Sequence, residues 1–216
     1  EKLENTKLDF NYLNKSLEIN NIDLNYKNTN FLSKKITAKI NNNLIAVKGD
    51  FSNEINPNLI SNFINFNLKD YIKEKFTLSS KSNFEIILSK KFKLKDYKLD
   101  SKIDFENINL ILNNVEIHNF LKNFDNKMIL KNGKLNVQIN NSNSINLQFK
   151  SKFNLNKDTD FNDISLNYSN TRSSEKYDFY IDLTECQLDL DVINFNKKLK
   201  KEMFLNLNLV KSKNIY

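Results

Sequence analysis

Ile181-Asp182-Leu183-Thr184-Glu185-Cys186-Gln187-Leu188 alternates apolar and polar residues on either side of a polar pair, and the same order occurs twice earlier in the chain. Ile103-Asp104-Phe105-Glu106-Asn107-Ile108-Asn109-Leu110 matches it position by position, as does Leu17-Glu18-Ile19-Asn20-Asn21-Ile22-Asp23-Leu24. The alternation is strict before the pair and after it, but the apolar parity changes across it. Successive side chains of a β-strand point to opposite faces. The pattern therefore predicts three long strands, each with a central phase shift that carries its apolar set to the other face. A β-bulge, which inserts one unpaired residue, gives such a shift, and so does a strand that passes from one exposed surface to another. Two-residue hairpin turns are the competing reading, but Thr184-Glu185 and Glu106-Asn107 lack the Gly that such turns usually need.

The two-residue period extends outward from these copies in both directions. Leu8, Phe10 and Tyr12 alternate with polar residues, as do Ile36, Ala38 and Ile40, and then Ile45, Val47, Gly49 and Phe51 beyond an Asn41-Asn42-Asn43 turn. Phe84, Ile86 and Leu88 resume it, and Ile145, Leu147, Phe149, Phe153 and Leu155 share one parity. Leu205, Leu207 and Leu209 form a last strand. Asn132-Gly133, between Ile129-Leu130 and Leu135, predicts a hairpin turn. The period changes only after Asn56-Pro57, where Ile60, Phe63, Ile64, Leu68, Tyr71 and Ile72 follow helical spacing and predict a short helical crossover over about 57–75. The expected fold is mainly β: a long antiparallel meander forming a curved, open β-groove, continuous over residues 1–216 and part of a longer protein. Closed sandwiches usually carry many Gly- and Pro-marked corners, and this chain has 2 Gly and 1 Pro. Asn takes their place, since it tolerates left-handed backbone better than other non-Gly residues.

Composition narrows the function. The net charge of +7 invites a nucleic-acid reading. Against it, Arg172 is the only arginine, and the lysines are scattered among Asp and Glu rather than gathered in a stripe. No nucleic-acid partner is expected. Cys186 is alone, on the apolar parity of its strand, which suits a buried, inert thiol and excludes a thiolate metal cluster. No run reaches the ~18 apolar residues of a transmembrane helix. His118 has no clustered partners for catalysis. Asp104, Asp182 and Glu18 recur in register but lie opposite the apolar parity, as solvent-facing strand residues do. No catalytic residue, metal or cofactor is expected, and the chain does not read as an enzyme. The candidates for lining a groove are Ile103, Phe105, Ile108, Leu110, Phe149, Phe153, Ile181, Leu183 and Leu188, with Cys186 beside them; an ordinary β core would use the same residues. Because parity changes within each copy, only one half of each copy is expected to face a given side.

Tyr177-Asp178-Phe179-Tyr180-Ile181-Asp182-Leu183-Thr184, then Leu188-Asp189-Leu190, then Asn194-Phe195-Asn196-Lys197-Lys198, then Phe204 to Leu209, resembles the AsmA-like family, in particular its YhdP-type members. Val47-Lys48-Gly49-Asp50-Phe51 and Gly133-Lys134-Leu135-Asn136-Val137 suit the repeated hairpins of that family. The resemblance implies a segment of an inner-membrane-anchored protein of the cell envelope that extends through the periplasm. It also implies an apolar trough whose partners are phospholipid acyl chains moving between the inner and outer membranes, both membranes being reached by regions outside this segment. The alternative is a structural surface or fibre segment with a closed core and no ligand.

Overall fold

The computed structural model describes residues 4–26, 29–55, 71–72, 76–112, 126–141, 144–155, 160–190 and 193–212. Ten strands follow one another across a single sheet, each antiparallel to the next. They are β1 (Glu4–Leu13), β2 (Ser16–Tyr26), β3 (Thr29–Asn41), β4 (Leu44–Ile55), β5 (Leu78–Ser89), β6 (Leu94–Ile111), β7 (Lys127–Asn140), β8 (Ser144–Asn154), β9 (Asn162–Asn170) and β10 (Ser174–Asp182). A short separate ladder of β11 (Leu188–Leu190) and β12 (Phe195–Lys197) intervenes, and β13 (Phe204–Ser212) then pairs with β10 as the eleventh strand. β1 and β13 are not paired with each other, so the sheet is open and not a barrel. The helical crossover expected over 57–75 falls outside the described residues except for Tyr71 and Ile72, which form a turn and an irregular residue.

Simple alternation builds most of the sheet, and its two ends differ. At one end, tight hairpins join β1 to β2, β3 to β4, β5 to β6 and β9 to β10. At the other lie the longer connections after β4, β6, β8 and β10. Asn14 and Lys15, at φ 50° and 60°, make the first tight turn with both central residues left-handed, as such hairpins require. Of the non-glycine residues with positive φ among those described, Asn14, Asn21, Asn42, Asn126, Asn132 and Asn194 are asparagines, and neither glycine has positive φ. Asn does here what Gly does in most β proteins. Phe92, at φ 56° in the β5–β6 turn, is the costly exception, because a bulky side chain is strained in that region. Phe92→Gly is expected to raise stability by about 1 kcal/mol, read as a higher urea midpoint.

The phase shifts in the first two copies are real, but they do not change face. Between Lys131 and Lys134, β7 uses one more residue than the Lys150–Lys152 stretch of β8, and Asn132 there sits at φ 53°. Between Leu32 and Ile36, β3 likewise has one residue more than β4 has between Gly49 and Ser52, and Asn21 beside it on β2 sits at φ 52°. These are β-bulges. Each resets the pleat by one residue at the place where the sequence parity also changes, and the two shifts cancel. Strand β8 carries no bulge against β9, so Phe153 lies on the same face as Phe149. Ile108 and Leu130 occupy the row of Phe153, and Phe105 pairs with Gly133 one step away. Both halves of the second copy therefore face one side, which corrects the expectation that the apolar set crosses the sheet. The first copy behaves alike: Leu17 and Ile19 join the row system of Ala38 and Ile36, and Ile22 pairs with Ser33 beyond the bulge.

Two further expectations are overturned. Asn132-Gly133 is not a hairpin turn; β7 continues through it, with the bulge just described, from Lys127 to Asn140. Glycine is needed there because the Phe105 ring of the neighbouring strand lies over it, and a Cβ at Gly133 would fall inside that ring. Gly133→Ala is expected to cost about 1–3 kcal/mol by forcing the ring out. The cost should largely vanish in a Phe105→Ala background, so a denaturation double-mutant cycle tests the contact directly. The third copy is not a long strand. β10 ends at Asp182, and the Cys186 amide donates to the Leu183 carbonyl at 3.0 Å, closing a turn around Thr184-Glu185. Neither central residue has positive φ, so this is an ordinary turn that needs no glycine. The Asp182 carboxylate accepts from the Thr184 amide at 2.8 Å and starts it.

Candidate functional site: an apolar sheet face

Cross-strand pairing aligns apolar residues in rows across the β5–β13 part of the sheet. One row is Ile103–Leu135–Phe149–Leu166–Phe179–Leu207. Its neighbour is Val137–Leu147–Tyr168–Tyr177–Leu209. A third is Phe84–Leu99–Ile139–Ile145. Aromatic contacts reinforce the face: Phe105 stacks on Phe149 with centroids 6.3 Å apart, and Tyr168 lies 4.8 Å from Tyr177 within its row. Residues of these rows are half-buried, and at the β13 edge Leu207 and Leu209 are exposed. Among the described residues this face is covered at its Phe153 end by residues 183–190, and no second sheet is stacked over the rows.

Small polar groups interrupt the face near β5. Ser80 donates to the Asn53 side-chain oxygen, and Ser82 and Ser101 lie 2.8 Å apart, so these buried hydroxyls satisfy one another. The opposite face is charged, with the Lys48–Glu85, Lys35–Glu18 and Lys152–Asp163 pairs lying across neighbouring strands. Exposed pairs of this kind add little stability but keep that side wet.

All nine groove candidates converge on one hydrophobic cluster at the end of the sheet that carries the long connections. Within it Ile108, Phe153 and Leu188 are buried and form a closed core with Leu78, Leu130 and Cys186. Ile103, Phe105, Leu110, Phe149, Ile181 and Leu183 pack against that core and stay partly accessible. The cluster thus grades from a dry interior at Phe153 to the half-open face. Sequence reasoning missed the residues that widen the face, such as Leu135, Leu147, Leu166 and Phe179. Their signal was present in the same two-residue parity, but only pairing shows that they share rows with the candidates.

It also missed Lys197. This side chain is 2% exposed, and its ammonium donates to the carbonyls of Thr184, Cys186 and Lys198 at 2.9, 2.7 and 3.2 Å. All three of its donors are used. Burial lowers its pKa, against the opposing pull of Cys186, Glu185 and Asp182. The Cys186 thiol beside it is pushed up to about 11 by burial, which makes it a poor nucleophile. Together Lys197 and the turn at Asp182 fold residues 183–190 against Phe153. No group of three or more His, Cys, Asp or Glu among the described residues could hold a metal ion, and His118 lies outside those residues. No described helix is long and apolar enough to cross a membrane. Comparison with protein-family models, with curated proteins and with solved structures gives no match to this chain.

Proposed function

We propose that the apolar face carries phospholipid acyl chains, as a segment of an AsmA-like envelope protein that moves lipid between the inner and outer membranes. The observation that carries this reading is the set of apolar rows left half-exposed across the sheet. An aqueous protein seldom leaves so wide an apolar surface without a use. A bound acyl chain would be shielded from water at about 0.8 kcal/mol per methylene, while headgroups stay at the polar margin. The bulges matter to this reading because they keep the apolar surface continuous along the strands. Carrying lipid makes and breaks no covalent bond, so the segment acts without a nucleophile or a general base. In this reading the segment lies in the periplasm, and regions beyond it reach the two membranes.

The closed cluster around Phe153 favours a second reading, a structural β segment whose apolar residues satisfy one another. Mass spectrometry of organic extracts from the purified chain separates the two, together with photo-crosslinkers at Phe105 and Leu183 and a control at Gln148 on the charged face. Phospholipid recovered and crosslinked at the first two positions but not the third supports carriage. A lipid-free, cooperatively folded chain with no crosslink refutes it and leaves the structural reading.

A further inference from the structure

We propose that the β5–β6 hairpin tip, Lys90-Lys91-Phe92-Lys93, docks the sheet onto an anionic lipid bilayer, with Phe92 entering the interface and the lysines meeting the headgroups. Phe92 is 74% exposed, more than any other large hydrophobic side chain among the described residues. It also holds the strained left-handed backbone noted above, at φ 56°. The turn that imposes this is well tied. Ser89 donates to the Lys93 carbonyl at 2.9 Å and accepts from the Phe92 amide at 2.8 Å, its hydroxyl accepts from the Lys93 amide at 3.2 Å, and Lys90 donates to Asn43 of the neighbouring hairpin. A bulky apolar side chain is thus presented to water by an ordered turn, although Gly or Asn would fit that turn better. Among the described residues no ring contact involves Phe92.

Charge supplies the partner. Lys90, Lys91, Lys93 and Lys95 are exposed, and none forms an ion pair among the described residues. The nearest acid in sequence, Asp96, has its carboxylate accepting from the Tyr97 amide. Leu94, Leu44 and Ile40 are exposed at this same end of the sheet. Lysines that can extend their stems around an apolar tip are the arrangement that binds a negatively charged membrane surface, where neither signal suffices alone. A nucleic-acid partner would be expected to draw on arginine, and the chain has one, Arg172. Phe92, Leu94, Leu44 and Ile40 all lie at the end of the tight hairpins, so the sheet would stand on the bilayer by those hairpins. This inference does not depend on acyl chains occupying the apolar face.

The chain contains no tryptophan, so Phe92→Trp places a single fluorophore at the tip and Phe195→Trp places one on β12, away from it. With vesicles of phosphatidylcholine containing about 30% phosphatidylglycerol, Phe92→Trp emission is expected to shift to the blue and to be quenched by brominated lipid. Phe195→Trp emission is expected to stay unchanged. Raising the salt to about 0.5 M should weaken the effect. Combining Lys90→Gln, Lys91→Gln and Lys93→Gln should reduce vesicle partitioning by on the order of 100-fold. Phe92→Asn, which suits the left-handed backbone and keeps the fold, should lose most of the co-sedimentation that wild type shows. Unchanged emission at position 92, an equal shift at position 195, or a triple variant that partitions like wild type would each overturn the proposal.

Discussion

Phe153→Ala is expected to destabilise the chain by about 3–5 kcal/mol, the largest effect of any single substitution considered. Phe153 has 0% exposure and sits where Ile108, Leu130, Cys186 and Leu188 meet. Truncation removes the ring's transfer free energy and leaves a cavity that the surrounding β-ladder resists closing. The backbone positions of Leu130 and Asn162, which flank Phe153 in the ladder, are held by hydrogen bonds and cannot move in to fill the space. Urea denaturation followed by circular dichroism measures the effect, expected as a lower midpoint with an unchanged slope. Leu209→Ala is the comparison. Leu209 has the same apolar character but is 60% exposed on the edge strand, and its loss should fall within about 0.5 kcal/mol. Equal losses at the two positions would mean that the cluster around Phe153 is not what holds the sheet together.

Lys197→Met should cost about 2–4 kcal/mol even though Met keeps most of the apolar stem. The loss comes from the ammonium alone. Three carbonyls, those of Thr184, Cys186 and Lys198, would lose their common donor within a mostly buried turn. An acceptor left unpaired in such a place pays its desolvation with no return. The consequence should be local before it is global, because the Lys197 bonds hold residues 183–190 against the sheet. Cys186 reports this directly. Its thiol is buried and pushed up to about 11 in the folded chain, so alkylation near pH 8 should be slow in wild type. In Lys197→Met it should accelerate by an order of magnitude or more at denaturant concentrations where the sheet is still intact. Labelling that rises only with global unfolding would show that the turn is held by other contacts.

A membrane-docking role for Phe92 and the expected gain in stability from Phe92→Gly belong together. A residue that weakens the fold and exposes an aromatic ring at an ordered tip is retained at a cost. If the variant is both more stable and unable to bind vesicles, that cost is accounted for by the interface.

Much of this architecture was legible in the chain itself. Two-residue alternation from Leu8 to Leu209 specified strands, the scarcity of Gly and Pro pointed away from a closed sandwich, and asparagines marked the turns. These features depend on the backbone and on nearest neighbours, so a single strand carries them in full. What the chain left open depends on pairing between strands. The parity change in Leu17–Leu24 and Ile103–Leu110 reads as a change of face, because one strand alone shows only the side-chain period. The compensating extra residues show only in pairing: on β2 against β1 between Asn20 and Asp23, on β3 against β4, and on β7 against β8. Asn132-Gly133 has the composition of a turn, yet the Phe105 ring of the adjacent strand turns that glycine into a seat within a strand. The third copy has the same residue pattern as the other two, but Asp182 caps a turn and Lys197, from beyond β11, holds that turn closed. Sequence alone determined that this chain makes strands with one apolar edge per strand. Tertiary structure decided that those edges share a single face, since the row a side chain joins is set by the register of the strand beside it.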